Sequence, residues 1–386
     1  MIKVGIIGIG NMGSSHARKI FGGEVPGMEL AAVCDTNPER ISWAKDTFGD
    51  SVGCFADSDE FYKNASLFDL VIIATPHYSH PSLAITAFDN NLHVLVEKPA
   101  GVYTKQVREM NEAAKKTDKK FFIMYNQRTN CVYRKLKDLI QGGELGDLKR
   151  MVWIITSWYR PQAYHDSSAW RSTWEGEGGG VLLNQDPHQL DLWQWLVGMP
   201  KRIRAFASFG KYYDIEVEDD VTAYAEYDNG MTATFITATG EAPGTNRLEI
   251  SGTMGKIVVE NNDITFYRNR VDEREFNKAN KAGFGIPEVW KCAVSTDGKY
   301  EGHVGILKNI VDVIKNNAQP IAEGVEGILG LSISNAMHLS AWTDSWVELD
   351  KLDEELFYDT LQSKIKNSKF KKRDVKEKTF DVGGSH

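Results

Sequence analysis

A chain of 386 residues with 42% hydrophobic and 25% charged side chains is long enough to bury two cores. Its net charge of −8 argues against a general nucleic-acid binder, and no apolar run approaches the roughly 20 residues that span a bilayer. Cys34, Cys54, Cys131 and Cys292 lack disulfide or metal-ligand spacing, so reduced thiols, a cytoplasmic location and no bound metal are expected.

Residues 2–7 form a short apolar run that reads as a buried parallel strand starting too early for a signal peptide to precede it. Gly8-Ile9-Gly10-Asn11-Met12-Gly13 then separates it from a helical stretch, 14–20. In such a loop Gly8 permits the tight turn, Gly10 lets the backbone approach a pyrophosphate, and Gly13 lets helix and strand pack closely. Asn11 and Met12 fall at the helix N-terminus, where amides attract phosphate. A second strand, 28–34, ends at Asp35, whose carboxylate suits ribose hydroxyls and repels a 2′-phosphate; NAD is therefore expected over NADP. Arg40 is the opposing signal, because a guanidinium accommodates that phosphate.

Residues 41–49 read as a helix, 54–55 as a short strand and 57–61 as a capped helix start. The strand 68–74 leads into Ala74-Thr75-Pro76, and His80 follows. These residues lie beyond a strand's carboxyl end, where the nicotinamide half of a dinucleotide binds; His80 is expected chiefly to cap or pack at the next helix, 81–90. Strand 92–96 ends in Glu97-Lys98-Pro99. An ammonium there either enters the cleft and stabilises developing alkoxide charge or pairs with Glu97 at the surface. A helix (103–117) and a strand (121–125) complete an α/β Rossmann domain, a doubly wound parallel sheet over residues 1–125.

At this point the chain resembles the Gfo/Idh/MocA oxidoreductases, through the glycine loop with His16, Ala74-Thr75-Pro76 with His80, and Val94-Leu95-Val96-Glu97-Lys98-Pro99. The resemblance implies an NAD-dependent enzyme in which Lys98 contacts the reacting hydroxyl. It also implies a C-terminal α+β domain with a large, mostly antiparallel open sheet, one face lining the substrate cleft and the other forming a homodimer or homotetramer.

That second domain is placed at 126–345. Asn126 and Arg128 at the crossover would hydrogen-bond a polar substrate or secure the domain junction. Helix 132–141 and strand 148–158 follow. Trp158, Tyr159, Tyr164, Trp170 and Trp174 are interleaved with Arg160 and Arg171. Aromatic faces suit sugar rings and guanidinium groups suit hydroxyls or a carboxylate, so this loop is expected to touch substrate. After Gly178-Gly179-Gly180, His188 falls in the first turn of an apolar helix, and the resemblance makes it the catalytic histidine that takes the hydroxyl proton. Many members carry an aspartate four residues earlier; here Asn184 stands there, which leaves a carboxylate-assisted relay in doubt. The variant resembles members acting on glycosides or anhydro-sugars. Asp186 is nearer in sequence but of unknown direction, and Asp191 is assigned to the helix.

Segments 203–209, 220–227, 231–238, 247–252, 256–260 and 264–268 alternate as antiparallel strands, with a hairpin at 228–230. Residues 217–220 read as an acidic strand edge. His303, at the start of helix 304–316, is a substrate-binding candidate, and 324–342 is a last long helix returning towards the first domain. Residues 346–386 form a C-terminal extension, lysine-rich and solvated over 363–378, with Gly383-Gly384 disordered.

The expected activity is hydride transfer between NAD and a secondary ring hydroxyl of a sugar or glycoside, with no nucleic-acid or membrane partner. The alternative is an NAD-recycling hydrolase, lyase or anhydro-sugar converter (for example of 2,7-anhydro-sialic acid) with no net redox change. A non-catalytic NAD-binding sensor is the minor alternative.

Overall fold

Apolar, β-branched runs pair as parallel strands in the first part of the computed structural model, which describes residues 1–370. These are β1 (Ile2–Ile7), β2 (Met28–Cys34), β3 (Gly53–Phe55), β4 (Leu70–Ile73), β5 (His93–Val96) and β6 (Phe121–Ile123). Their order is β3-β2-β1-β4-β5-β6, and every pair is parallel. Strand order reverses between β1 and β4, the switch point at which such sheets bind ligands beyond their carboxyl ends. Val4, Ile6, Leu70 and Ile72 face one side, where Ile306 and Ile310 of the helix Gly302–Asn316 join the core. A segment from the chain's second half thus covers the first sheet. The other side packs Val71, Ile73, Val94 and Val96 against Phe88, Val107 and Met110.

The second sheet comprises β7 (Leu148–Ile155), β8 (Arg202–Phe209), β9 (Glu218–Glu226), β10 (Thr232–Ala238), β11 (Asn246–Gly252), β12 (Gly255–Glu260), β13 (Asp263–Asn269), β14 (Val289–Val294) and β15 (Val347–Glu348). They are ordered β14-β13-β12-β11-β7-β10-β9-β8-β15. Only the β7–β10 pair is parallel among the described pairings. Register gives the sheet two unlike faces. Ala205, Ala223, Phe235, Trp153, Leu248 and Val259 form one row across it, and all are buried. The adjacent row, running through Phe206, Thr222, Ile236 and Ile154, points the other way.

Several expectations change. The strand expected over 148–158 stops at Ile155, and β14 and β15 were not anticipated. The acidic run at 217–220 is not an exposed edge: β9 lies inside the sheet, with Glu218 1% and Asp219 0% exposed. Buried carboxylates persist where donors satisfy them. Glu218 accepts from the backbone N–H of Gly180 and Leu182, and Asp219 from those of Lys211 and Tyr212. The extension is also folded as far as residue 367. Its helix Glu354–Asn367 buries Phe357 and Leu361, and Glu354 and Glu355 pair with Arg108 and Lys105 of the helix Thr104–Ala114. Lys364 places its ammonium 5.0–5.4 Å from the rings of Trp342, Phe209 and Trp174. Residues 371–378 of the lysine-rich tail and Gly383-Gly384 lie outside the described residues. No described helix is long and apolar enough to cross a membrane.

Candidate active site

A cleft of about 900 Å³ runs along the carboxyl ends of β1, β2, β4 and β5 and continues beneath the aromatic loop after β7. At one end the glycine loop has the geometry its spacing implies. Gly8 has φ +84°, and a Cβ there would stand 2.7 Å from the Ala74 carbonyl oxygen; one on Gly13 would stand 1.8 Å from that of Gly8. A Cβ on Gly10 would meet nothing within 4 Å, so the backbone is open to the cleft there. Gly10 also caps the helix Asn11–Phe21 without any side-chain hydrogen bond, leaving its first amides for an anion. Asp35 accepts from the Ile9 and Asn37 amides at 2.8 and 2.9 Å. A carboxylate has about four acceptor sites, so capacity remains for ribose hydroxyls. Arg40 lines the same end, with Asn11, Met12, Thr75 and Pro76. An open cradle, unsatisfied helix amides and a strand-end carboxylate together fit a dinucleotide.

Deeper in, Glu97 is buried and bonded to His16 Nε2 at 2.7 Å. Burial pushes its carboxyl up, but the His16 hydrogen bond and the charges of His16, His303 and Lys98 outweigh that and hold it at about 2. His303 faces His16 with ring centroids 5.5 Å apart, and burial lowers its pKa to about 4. It therefore enters the cleft as neutral imidazole. His80 is also buried, its ring nitrogens 2.8 Å from the Pro99 carbonyl oxygen and 2.7 Å from that of Thr75. It clips the ends of β4 and β5 together, in keeping with the packing role.

At the far end Lys98 Nζ donates to the Asn184 carbonyl at 2.7 Å. Burial lowers the Lys98 pKa, Glu97 and Glu177 raise it, and Arg171 and Arg160 lower it further. A depressed ammonium pKa suits a group that shares a proton with a reacting hydroxyl. His188 lies in the first turn of the helix Pro187–Val197 and lines the same cleft. The Asn184 side chain donates to Glu177 Oε1 and accepts from the Tyr164 hydroxyl at 3.4 Å. Tyr164 in turn receives a bond from Arg171 at 2.6 Å, and the Arg171 guanidinium lies 4.4 Å from the Tyr164 ring and 4.8 Å from that of Trp170. Arg160 lies over Trp158 and Tyr164 at 5.7 and 5.4 Å.

The cleft thus brings together Gly8, Gly10, Asn11, Met12, Asp35, Arg40, Ala74, Thr75, Pro76, His80, Glu97, Lys98, Asn126, Tyr159, Arg160, Tyr164, Trp170, Arg171, Asn184, His188 and His303. Gly13 packs beneath the loop instead. Arg128 is a correction. It is 2% exposed and bonds Asp191 through two nitrogens at 2.9 and 2.6 Å and Glu326 at 2.5 Å, so its donors serve the domain junction and not a substrate. Asp191 likewise serves Arg128 more than its own helix. Trp174 turns away to pack on Trp342. Asp186 is buried and accepts from Trp158 Nε1 at 2.9 Å; burial raises its carboxyl well above the usual range. Reasoning from sequence missed Glu177. Its signal was a lone carboxylate inside Gly176-Glu177-Gly178-Gly179-Gly180, a run too glycine-rich for an ordinary solvated loop.

Residues 2–125 match the family model described as the oxidoreductase family, NAD-binding Rossmann fold, and residues 133–258 match the GFO/IDH/MocA C-terminal domain. The chain is 22% identical to myo-inositol 2-dehydrogenase of Thermotoga maritima, covering 91% of this chain and 99% of that protein. It is 24% identical to levoglucosan dehydrogenase of Pseudarthrobacter phenanthrenivorans, again covering 91% and 99%. Among solved structures, the WlbA dehydrogenase of Chromobacterium violaceum, in complex with NADH and UDP-GlcNAcA, superposes with a TM-score of 0.78 at 26% identity, over 91% of this chain and 96% of that one.

Proposed function

The chain belongs to the Gfo/Idh/MocA oxidoreductases, with an NAD-binding Rossmann domain, and from that premise we propose that it oxidises a secondary ring hydroxyl of a sugar or glycoside. The observation that carries this reading is the meeting of Lys98 and His188 in the cleft that also holds the glycine loop. His188 takes the hydroxyl proton, and the Lys98 ammonium stabilises the alkoxide charge that develops. NAD, when bound, supplies the hydride acceptor. The aromatic faces of Tyr159, Tyr164 and Trp170 suit the C–H faces of a sugar ring. Lys98, Arg160 and Arg171 make the substrate end cationic, so sugars bearing a carboxylate are the first class to screen. The dehydrogenases of inositol and levoglucosan among its relatives support a cyclic polyhydroxylated substrate.

Lys98→Ala and His188→Ala are each expected to keep NAD affinity, read by quenching of tryptophan fluorescence, and to lose on the order of 10²–10⁴-fold in turnover. Full activity in either variant would sink the assignment. The same assay separates the recycling alternative. A dehydrogenase forms one NADH per product, whereas a transient keto-sugar mechanism consumes substrate with catalytic NAD and accumulates no NADH.

The sheet face bearing Phe206, Tyr224 and Ile236 is assigned to association with a second copy of the chain. Phe206 is 62% exposed there, and Tyr224 lies on the same face.

A further inference from the structure

We propose that Glu177 is a positioning residue that supplies, through the Asn184 amide, the negative charge that an asparagine at position 184 lacks. The inference rests on the assignment of Lys98, His188 and Asn184 to the reacting hydroxyl. Glu177 is 2% exposed, and its carboxylate is held on three sides. Oε2 accepts from the Ser172 backbone N–H at 2.5 Å, Oε1 accepts from Asn184 Nδ2, and Arg171 Nη1 stands 3.7 Å from Oε1. Its own backbone carbonyl meets His77 Nδ1 at 3.2 Å, which fixes this turn against the residues that follow β4.

The glycines on either side make the inward placement possible. A Cβ on Gly176 would stand 2.2 Å from the Trp170 carbonyl oxygen, and one on Gly180 would stand 2.0 Å from that of Glu218. The run therefore lies flat against its neighbours and turns Glu177 towards Asn184. With its Nδ2 given to Glu177 and its Oδ1 to Tyr164, the Asn184 amide has a set orientation, while its backbone carbonyl receives Lys98 Nζ. An aspartate at 184 would place its charge directly beside these groups. Here the charge sits one hydrogen bond further back. The other two carboxyls near Lys98 are committed elsewhere: Glu97 is bonded to His16, and Asp186 is bonded to Trp158 in a place where burial disfavours its charged form.

The charged and titratable groups around Lys98 include Glu97, Glu177, Asp186, Arg160, Arg171, His77, His80, His188 and His303, and those around Glu177 include Arg171, Lys98 and His77. Removing the Glu177 charge leaves Lys98 with more cationic than anionic neighbours among Glu97, Arg160 and Arg171, so its ammonium should deprotonate more readily. The test needs no known sugar. Lys98 is labelled with an amine-reactive reagent across a pH series and quantified by mass spectrometry. In Glu177→Gln the labelling midpoint is expected to move to lower pH, and in Glu177→Gln/Asn184→Asp to return towards that of the unaltered protein. An unmoved midpoint in Glu177→Gln overturns the proposal. On any sugar that the protein turns over, Glu177→Gln is expected to lower kcat by on the order of a hundredfold with KM less affected, and the double variant to recover at least part of that loss. A double variant with the NAD affinity and Tm of the unaltered protein but no recovery also overturns it. Should Glu177→Gln fail to fold, Asn184→Asp decides. Two touching carboxylates must share a proton, so its kcat falls as pH rises where that of the unaltered protein does not; identical profiles overturn the proposal. If the midpoint moves as expected while no sugar is oxidised, the functional reading fails and the charge relation stands.

Discussion

Glu97 keeps its charge in a buried place because His16 is bonded to it and the Lys98 ammonium stands close. Its pKa in the fold, about 2, lies below the ordinary 4.5. The stabilisation is therefore fully present above about pH 4.5 and disappears as pH falls towards 2. Glu97→Gln should cost on the order of 1–3 kcal/mol at neutral pH. In urea melts across a pH series the gap between the two proteins should close below pH 4.5; a gap that stays constant would refute the pairing. At this scale the position of Lys98 at a strand end and that of His188 in the first turn of a helix were legible in the chain, while the roles given to them come from the family resemblance. Glu177 was not legible. Its meaning comes from Asn184, Ser172 and Arg171, and the bonds that join them appear only once the loop has folded.

Arg128 carries the same contrast to the scale of elements. Its guanidinium joins the turn Asn126–Thr129 to Asp191 on the helix Pro187–Val197 and to Glu326 just before the helix Gly327–Thr343. It also lies 5.5 Å from the rings of Tyr125 and Trp195. Breaking a buried ion pair strands a charge, so Arg128→Ala should lose on the order of 3–5 kcal/mol in chemical denaturation. Below its melting temperature the variant should still bind NAD. Loss of NAD binding in a folded variant would return Arg128 to the site. The strands of both sheets were largely readable from alternation and apolar runs, whereas β14 and the last helix were not. In that helix Phe357, Leu361 and Ile365 recur every four residues, a stripe overlooked beside so many lysines. Glu218 and Asp219 were misread because acidic residues in a strand normally face water; here distant amides of Gly180 and Leu182 bind Glu218, and those of Lys211 and Tyr212, in the loop before β9, bind Asp219.

Across the whole molecule the two faces of the second sheet divide the work. One is packed with Trp153 and Phe235; the other presents Phe206, Tyr224 and partly covered Ile154 and Ile236. Association through this second face predicts a light-scattering mass of two or four chains, and Phe206→Asp with Tyr224→Asp should reduce it to one while NAD binding survives. A doubly substituted protein that keeps its mass would place the contact elsewhere. Size and sheet count could be read from composition and patterning, but which face stays open depends on register, and a slip of one residue exchanges the faces. The helix Gly302–Asn316 has a mechanical consequence. The polypeptide leaves the first domain at Tyr125, returns to wall its sheet with Ile306 and Ile310, and is pinned to it again where Glu354 and Glu355 meet Arg108 and Lys105. Domains laced together at several separated places have no single axis to swing on, and parting them means opening a seam of core.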